Sequence, residues 1–236
     1  MIVNADAKAL EWFGAVFLSK DKVGYKEIWD NVDQHTMNQN DFGLPSRLIA
    51  KKFVFRLIYG GSAYSYANDN DFVDVSTDEK FWQKVIDKFY AKYQGIGEWH
   101  ERLVYEAMST GCVRIPTGRY FPFSMVQKGK QMAWPRTQIL NYPVQGFGAD
   151  FMVLARFLLS RELMGKPGVK FICTVHDSIV WDVEPKMVDL VVETIFKCWD
   201  NIPAAYEQNF GQVMDLPPKV EVGVGQNWKD LQEIKQ

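Results

Sequence analysis

Cysteine is scarce in this chain: Cys112, Cys173 and Cys198 stand far apart, with no CxxC spacing. That excludes a disulfide framework, argues against zinc and fits a reducing interior with free thiols. No apolar run approaches the ~18 residues of a membrane span. The opening MIVNADAKALEW carries an acid at its sixth position and no basic leader. No signal peptide is therefore expected, and the expected compartment is the cytoplasm. The 10 prolines and 17 glycines are too few for a low-complexity linker, and no internal repeat is visible. What remains, 236 residues that are 47% hydrophobic and 24% charged, is the composition of a globular protein with one large or two small domains.

Acids are missing where they matter. Residues 42–68 contain none, against Arg47, Lys51, Lys52 and Arg56; residues 107–149 contain none, against Arg114, Arg119, Lys128, Lys130 and Arg136. The net charge of −2 thus hides two basic segments in an otherwise acidic chain. Such segments suit a polyanionic partner on one surface; the plainer reading is a solvated basic face.

Hydrophobic periodicity and breakers give a coarse element order. Residues 1–5 read as a strand running into Asp6, followed by a helix through Leu10, Trp12 and Phe13. GYKEIWDNV reads as helical within a polar stretch over 21–41. Pro45-Ser46 offers a helix start and Gly60-Gly61 an end, with an uninterrupted helical segment over 47–59 between them. STDE resembles a cap before the amphipathic FWQKVIDKFYAKY, and Gly95 and Gly97 are expected to break that pattern. EWHERLVYEAMSTG gives another helix, and CVRIPTGRYFPF a hairpin turning at Thr117-Gly118. Residues 124–135 read as loop, and a long helix is expected over about 144–164 with Pro143 at its start or at a kink. KFICTVHDSIVWDV divides around His176-Asp177 like a hairpin with an acidic tip; a helix over 186–200 and a strand KVEVGVG follow. Strands at both ends with helices between them make the class α+β.

Asp6 and Asp177 each sit where a strand ends. Strand-end acids converge if their strands are neighbours, and two converging carboxylates are costly unless a cation such as Mg²⁺ joins them. The alternative is a pair of turn aspartates, each capping the next element. Arg47, Lys51, Phe55 and Tyr59 recur every fourth residue and form one stripe ~18 Å long on a helix. Two cations and then two aromatics along one face suit a nucleoside triphosphate; a surface helix with snorkelling cations and core-facing aromatics has the same pattern. His35, in the polar DQHT, carries no signal by itself. Asn141 and Gln145 stand four apart beside the second basic segment, as minor-groove donors or as helix-end caps.

Taken together these segments resemble the polymerase core of family A DNA polymerases. DAKALE from Asp6 looks like motif A, RLIAKKFVFRLIYGG from Arg47 like motif B, and Val175-His176-Asp177 like motif C. DQHT, NYPVQG and PPKVEVGVGQNW are similar to three further family segments, all in the family's order from about Val3 to Trp228. The resemblance implies a palm over 1–21 and 134–236, built on an antiparallel sheet, and mainly helical fingers over 22–133. It implies that Asp6 and Asp177 hold two Mg²⁺ ions about 4 Å apart, one activating the primer 3′-hydroxyl and one holding the triphosphate. It implies that His35, Arg47 and Lys51 bind phosphates, that Glu11 and Phe55 crowd the sugar, and that Tyr59 stacks at the template side. Asn141, Gln145 and His176 would touch the primer-template, with Arg136 near the position of a family arginine. The partners implied are primer-template DNA and deoxynucleoside triphosphates.

This sequence departs from the family in several places. Ser178 stands where motif C usually has a glutamate, Arg56 where a glycine is usual, Trp12-Phe13 where Leu-Arg is usual, and Thr137 where an arginine is usual. Motif A begins at the sixth residue, so no thumb or exonuclease is expected within this sequence, and the expectation is a split, phage-type polymerase working with a separate N-terminal chain; a fragment of a longer polymerase would look the same. A palm sheet cut beside motif A would leave a strand edge open there. The rival expectation is a non-catalytic nucleic-acid-binding subunit with a degenerate polymerase fold.

Overall fold

The computed structural model describes residues 1–235 and is α+β. By contact density it falls into two compact units: Met1–Leu10 with Phe147 onward, and Glu11–Gly146.

The first unit is built on a five-stranded antiparallel sheet. Its strands are β1 (Ile2–Ala7), β6 (Val169–Val175), β7 (Ser178–Val183), β8 (Val220–Gly225) and β9 (Gln232–Ile234), in the order β6-β7-β1-β8-β9. Strand alternation sorts β1 cleanly: Val3, Ala5 and Ala7 are buried, while Ile2, Asn4 and Asp6 lie on the other face. Trp181, Ile179 and Val222, opposite Val3 and Ala5, supply more of the buried face. Helix α9 (Val188–Asp200) packs on β1 and β8 through Val191 and Ile195, with α10 (Ile202–Phe210) beside it. Phe151 sets its ring edge-on to Trp199 at 6.1 Å, a pair that adds to the burial of both rings. The motif A strand is central, paired on both sides, so the open edge expected there does not exist; the edges are β6 and β9.

The second unit is helical with two short hairpins. Its helices are most of α1 (Leu10–Ser19), then α2 (Lys22–Trp29), α3 (Gln34–Phe42), α4 (Arg47–Ile58), α5 (Ala63–Ala67), α6 (Glu79–Lys92) and α7 (Gln94–Thr110). An aromatic cluster holds them: Phe53, Tyr66, Trp82 and Phe89 are essentially inaccessible, and Phe53 lies 5.0 Å from Tyr66. Burial of each such side chain contributes ~1.5–3 kcal/mol. Their polar atoms are satisfied: Tyr66 Oη donates to the Phe53 carbonyl and Trp82 Nε1 to the Ser76 carbonyl, both at 2.8 Å. Hairpin β2–β3 (Cys112–Arg114, Tyr120–Pro122) turns as expected at Gly118, whose φ of +87° suits glycine.

Four expectations need correction. Residues 34–42 form α3 because the Asp33 carboxylate caps it, accepting from the amides of His35 and Thr36. Gly95 and Gly97 lie inside α7 and do not break it; a Cβ on Gly95 would come within 2.8 Å of Asp21 Cα, so the glycine permits close approach there. Residues 124–135 contain a hairpin, β4 (Val126–Lys128) and β5 (Gln131–Ala133), with Gly129 in the turn at φ +63°. The long helix α8 spans Arg136–Leu163 and starts eight residues early, because Pro143 is accommodated in its interior. Among the described residues no helix is long and apolar enough to cross a membrane.

Candidate active site

In the first unit the sheet register brings the acids together. Asp6 on β1 lies directly opposite Ser178 on β7 and Glu221 on β8, so all three occupy one row on one face. His176 and Asp177 form the two-residue turn between β6 and β7, with His176 at a φ of +53°. The Ala7 amide donates to the Asp177 carbonyl at 2.8 Å, which ties this turn to the end of β1. Ser178 Oγ donates to Asp6 Oδ2, a carboxylate–hydroxyl bond that the family's glutamate could not make when ionised. Glu221, which the sequence reading missed, is paired with Lys8 at 3.7 Å in an exposed position.

No cluster of three or more His, Cys, Asp or Glu exists among the described residues, so no all-protein metal cage is present. Asp6, Asp177 and the Ser178 hydroxyl nonetheless offer hard oxygen donors, with the His176 imidazole in the same turn. One or two carboxylates, with other positions left to water and substrate phosphate, is the usual protein share of a Mg²⁺ site. The donor chemistry fits.

In the second unit, the Ser46 side chain caps α4 by accepting from the Ile49 amide at 3.2 Å. The helix buries Ala50, Phe53, Val54, Leu57 and Ile58. The remaining face is the stripe: Arg47 and Lys51 are exposed, while Phe55 and Tyr59 are half-buried. Arg47 Nε donates to Asp33 Oδ2 at 2.8 Å, and this bond first, with Thr36 assisting, holds the Asp33 carboxyl well below its ordinary range. Asp33 thus caps α3 and anchors Arg47 at once.

His35 is buried, edge-on to the Phe55 ring with centroids 5.6 Å apart, and its Nδ1 has no partner among the described residues. Burial first, then the charges of Arg47 and Lys51, push its pKa from 6.5 down to about 4. It is a neutral imidazole in a cationic corner, which an arriving anion would favour protonating.

At the other end of the stripe, Gln145 on α8 joins two elements. Its Nε2 donates to Glu11 Oε1 on α1 and to the Tyr59 hydroxyl, both at 2.8 Å. Burial, then the Glu11 carboxylate, raises the Tyr59 hydroxyl pKa, so it stays protonated. Gln145 is exposed and bridges Glu11 and Tyr59 through this amide. Asn141 sits one turn earlier on α8, half-buried. Arg136 is exposed at the start of α8, where its charge bears on the buried Tyr90–His100 pair.

Arg56 is turned away from the stripe. It forms an ion pair with Asp69, donates to the Ser65 carbonyl at 3.2 Å and lies over the Tyr66 and Phe72 rings. The arginine that replaces the usual glycine thus staples the end of α4 to α5 and the loop after it.

The model of the family described as DNA polymerase family A matches residues 2–230. DNA polymerase I of Pseudomonas aeruginosa is 28% identical over 240 residues, covering 97% of this chain and 25% of that protein. DNA polymerase I of Aquifex aeolicus is 30% identical over 191 residues, covering 77% of this chain and 30% of that protein. Among solved structures, the polymerase domain of Pol1 from M. smegmatis, in complex with DNA primer-template and dNTP, superposes with a TM-score of 0.79 at 20% identity, over 96% of this chain and 40% of that one. The chain spans roughly a quarter of the length of the curated relatives it matches. With the family match running through nearly the whole sequence and the fold agreeing, the chain belongs to DNA polymerase family A.

Proposed function

We propose that this chain is the palm and fingers core of a template-directed DNA polymerase, adding deoxynucleotides to a primer 3′ end. The observation that carries this reading is the sheet register that sets Asp6 beside Ser178 at the foot of the Asp177 turn, taken with family membership. Asp6 and Asp177 would hold Mg²⁺, which supplies charge neutralisation on the transferring phosphate. Arg47 and Lys51 receive the remaining phosphate charge, with His35 taking up a proton as that charge arrives. Phe55 packs against the sugar, Glu11 closes the 2′ side, and Gln145 holds Glu11 in place. Tyr59 lends an aromatic face at the template side. Positioning and charge, rather than covalent chemistry by the protein, do the work in such a transfer.

The palm is assigned to residues 1–21 and 134–236 and the fingers to 22–133. The partners are primer-template DNA, which Asn141, His176 and Arg136 approach, and deoxynucleoside triphosphates. A separate N-terminal chain supplying a thumb grip on the duplex is part of the same reading.

The test is primer extension by the protein, with its partner chain supplied. Asp6→Ala and Asp177→Ala should each nearly abolish extension while leaving DNA binding intact. Extension above a tenth of wild type in either variant would overturn the assignment. A wild type that binds DNA but never extends it would favour the non-catalytic subunit, for which Ser178 in place of an acid is the motive.

A further inference from the structure

We propose that the β4–β5 hairpin is a DNA-gripping ribbon that lays Lys128 and Lys130 on the phosphates of the primer-template duplex. This inference rests on the polymerase reading above and goes beyond it to a contact surface outside the family motifs. The ribbon is a built element: Val126, Gln127 and Lys128 pair in register with Ala133, Met132 and Gln131. Its turn is braced by Gln127, whose Nε2 donates to the Gly129 carbonyl at 3.2 Å. It belongs to no larger sheet, and its side chains face water, with Val126 44% and Met132 59% exposed. A free-standing ribbon of three residues a side buries too little to exist for stability alone.

Its charge is of one sign. Several cations of the same unit are answered by acids: Lys26 by Asp30, Arg47 by Asp33, Lys52 by Asp71, Arg56 by Asp69 and Lys92 by Glu27. Lys128 and Lys130 make no ion pair among the described residues, and no acid lies in 107–149 beside them. Lys128 and Gln131 are direct cross-strand partners and share one face, so a cation and an amide donor stand side by side there. Two ammonium groups and an amide donor, with no carboxylate among them, are complementary to phosphate.

Placement points to duplex DNA. The ribbon leads through Trp134 and Pro135 straight into α8, which begins at Arg136, and Asn141 lies five residues along that helix, ~8 Å at helical rise. The ribbon root is therefore within about a duplex radius of the α8 residues assigned to the primer-template. A two-stranded ribbon is also narrow enough to follow a DNA groove. Lys128 and Lys130 then act as two phosphate contacts, sequence-independent and sensitive to salt.

The test is equilibrium binding of an end-labelled primer-template duplex by the full chain across a salt series, comparing wild type with Lys128→Gln/Lys130→Gln. The control is Lys84→Gln/Lys88→Gln on α6, two exposed lysines that also lack ion pairs among the described residues. Loss of two phosphate contacts lowers the slope of log affinity against log salt by ~1.8, so the wild-type advantage should shrink about tenfold between ~50 and ~200 mM salt. The control double variant should keep the wild-type slope. Equal slopes for the ribbon variant and wild type would overturn the ribbon assignment and leave the polymerase reading standing. A lowered slope on single-stranded template, with duplex binding unaffected, would overturn the assignment to duplex. Wild type that binds no DNA at low salt would overturn both readings together.

Discussion

Replacing Gln145 by leucine keeps the size of the side chain and removes the amide that bridges Glu11 and Tyr59. Two hydrogen bonds vanish, one to a carboxylate and one to a phenol, both 2.8 Å long in the intact protein. A bond to an ionised group contributes ~1.5–3 kcal/mol and a neutral one ~0.5–1.5 kcal/mol. Gln145 is exposed and Glu11 half-buried, so water replaces much of that loss. The net effect on folding should stay below ~1 kcal/mol, a shift in Tm of ~2–4 °C at most for a chain of this size. The effect on sugar choice should be larger, because Glu11 keeps only its bond with the Tyr59 hydroxyl and is held less firmly where it crowds a 2′-hydroxyl. Losing ~1–2 kcal/mol of that constraint corresponds to a ~5–30-fold fall in discrimination against ribonucleotides. The assay is single-turnover incorporation of a deoxynucleotide and the matching ribonucleotide by wild type, Gln145→Leu, Glu11→Ala and the double variant. If the clamp acts through Glu11, the double variant should be no worse than Glu11→Ala alone. Discrimination unchanged within twofold in Gln145→Leu, or full additivity in the double variant, would refute the reasoning.

Other outcomes are expected from the same geometry. Phe55→Tyr should ease incorporation of dideoxynucleotides, since the added hydroxyl can replace a missing 3′-OH contact; an unchanged selectivity ratio would mean that this face of α4 does not meet the sugar. Arg56→Gly removes the staple to Asp69, Ser65 and two aromatic rings and adds glycine's ~1 kcal/mol helix cost, so urea unfolding should show a loss of ~2–4 kcal/mol. His35 and His100 both have pKa values held below the ordinary 6.5, at about 4 and about 3, by burial first. The unfolded chain therefore binds these protons more readily, so the stability they contribute is complete above about pH 6.5 and is lost as pH falls through about 4. His35→Asn should accordingly lose part of the drop in urea midpoint between about pH 7 and about pH 4.5, and an identical drop in wild type and variant would contradict this. Ser178→Ala should lower the affinity for Mn²⁺ read by paramagnetic relaxation, because Asp6 loses the hydroxyl that orients it; equal affinity would mean that the bond is incidental.

The sequence alone carried whatever is local. The apolar run over residues 1–5 marked a strand leading into Asp6, whatever that strand pairs with. The four-residue spacing from Arg47 to Tyr59 made a stripe whatever α4 packs against, and Ser46 and Gly60 bounded that helix through capping chemistry that needs no tertiary contact. Motif order across nearly the whole chain was likewise legible before any folding. Non-local facts were not. The central place of β1 in the sheet follows from pairing with strands more than 170 residues away, which no local pattern encodes. The Ser178–Asp6 bond joins residues 172 positions apart, and the Gln145 clamp reaches 134 positions to Glu11 and 86 to Tyr59. Gly95 read as a breaker because its reason for being glycine, the backbone of Asp21, lies 74 positions earlier. The β4–β5 ribbon read as loop because three-residue strands with mixed side chains carry no period to detect. Local propensity set the elements; only burial and register among distant segments decided which side chains meet.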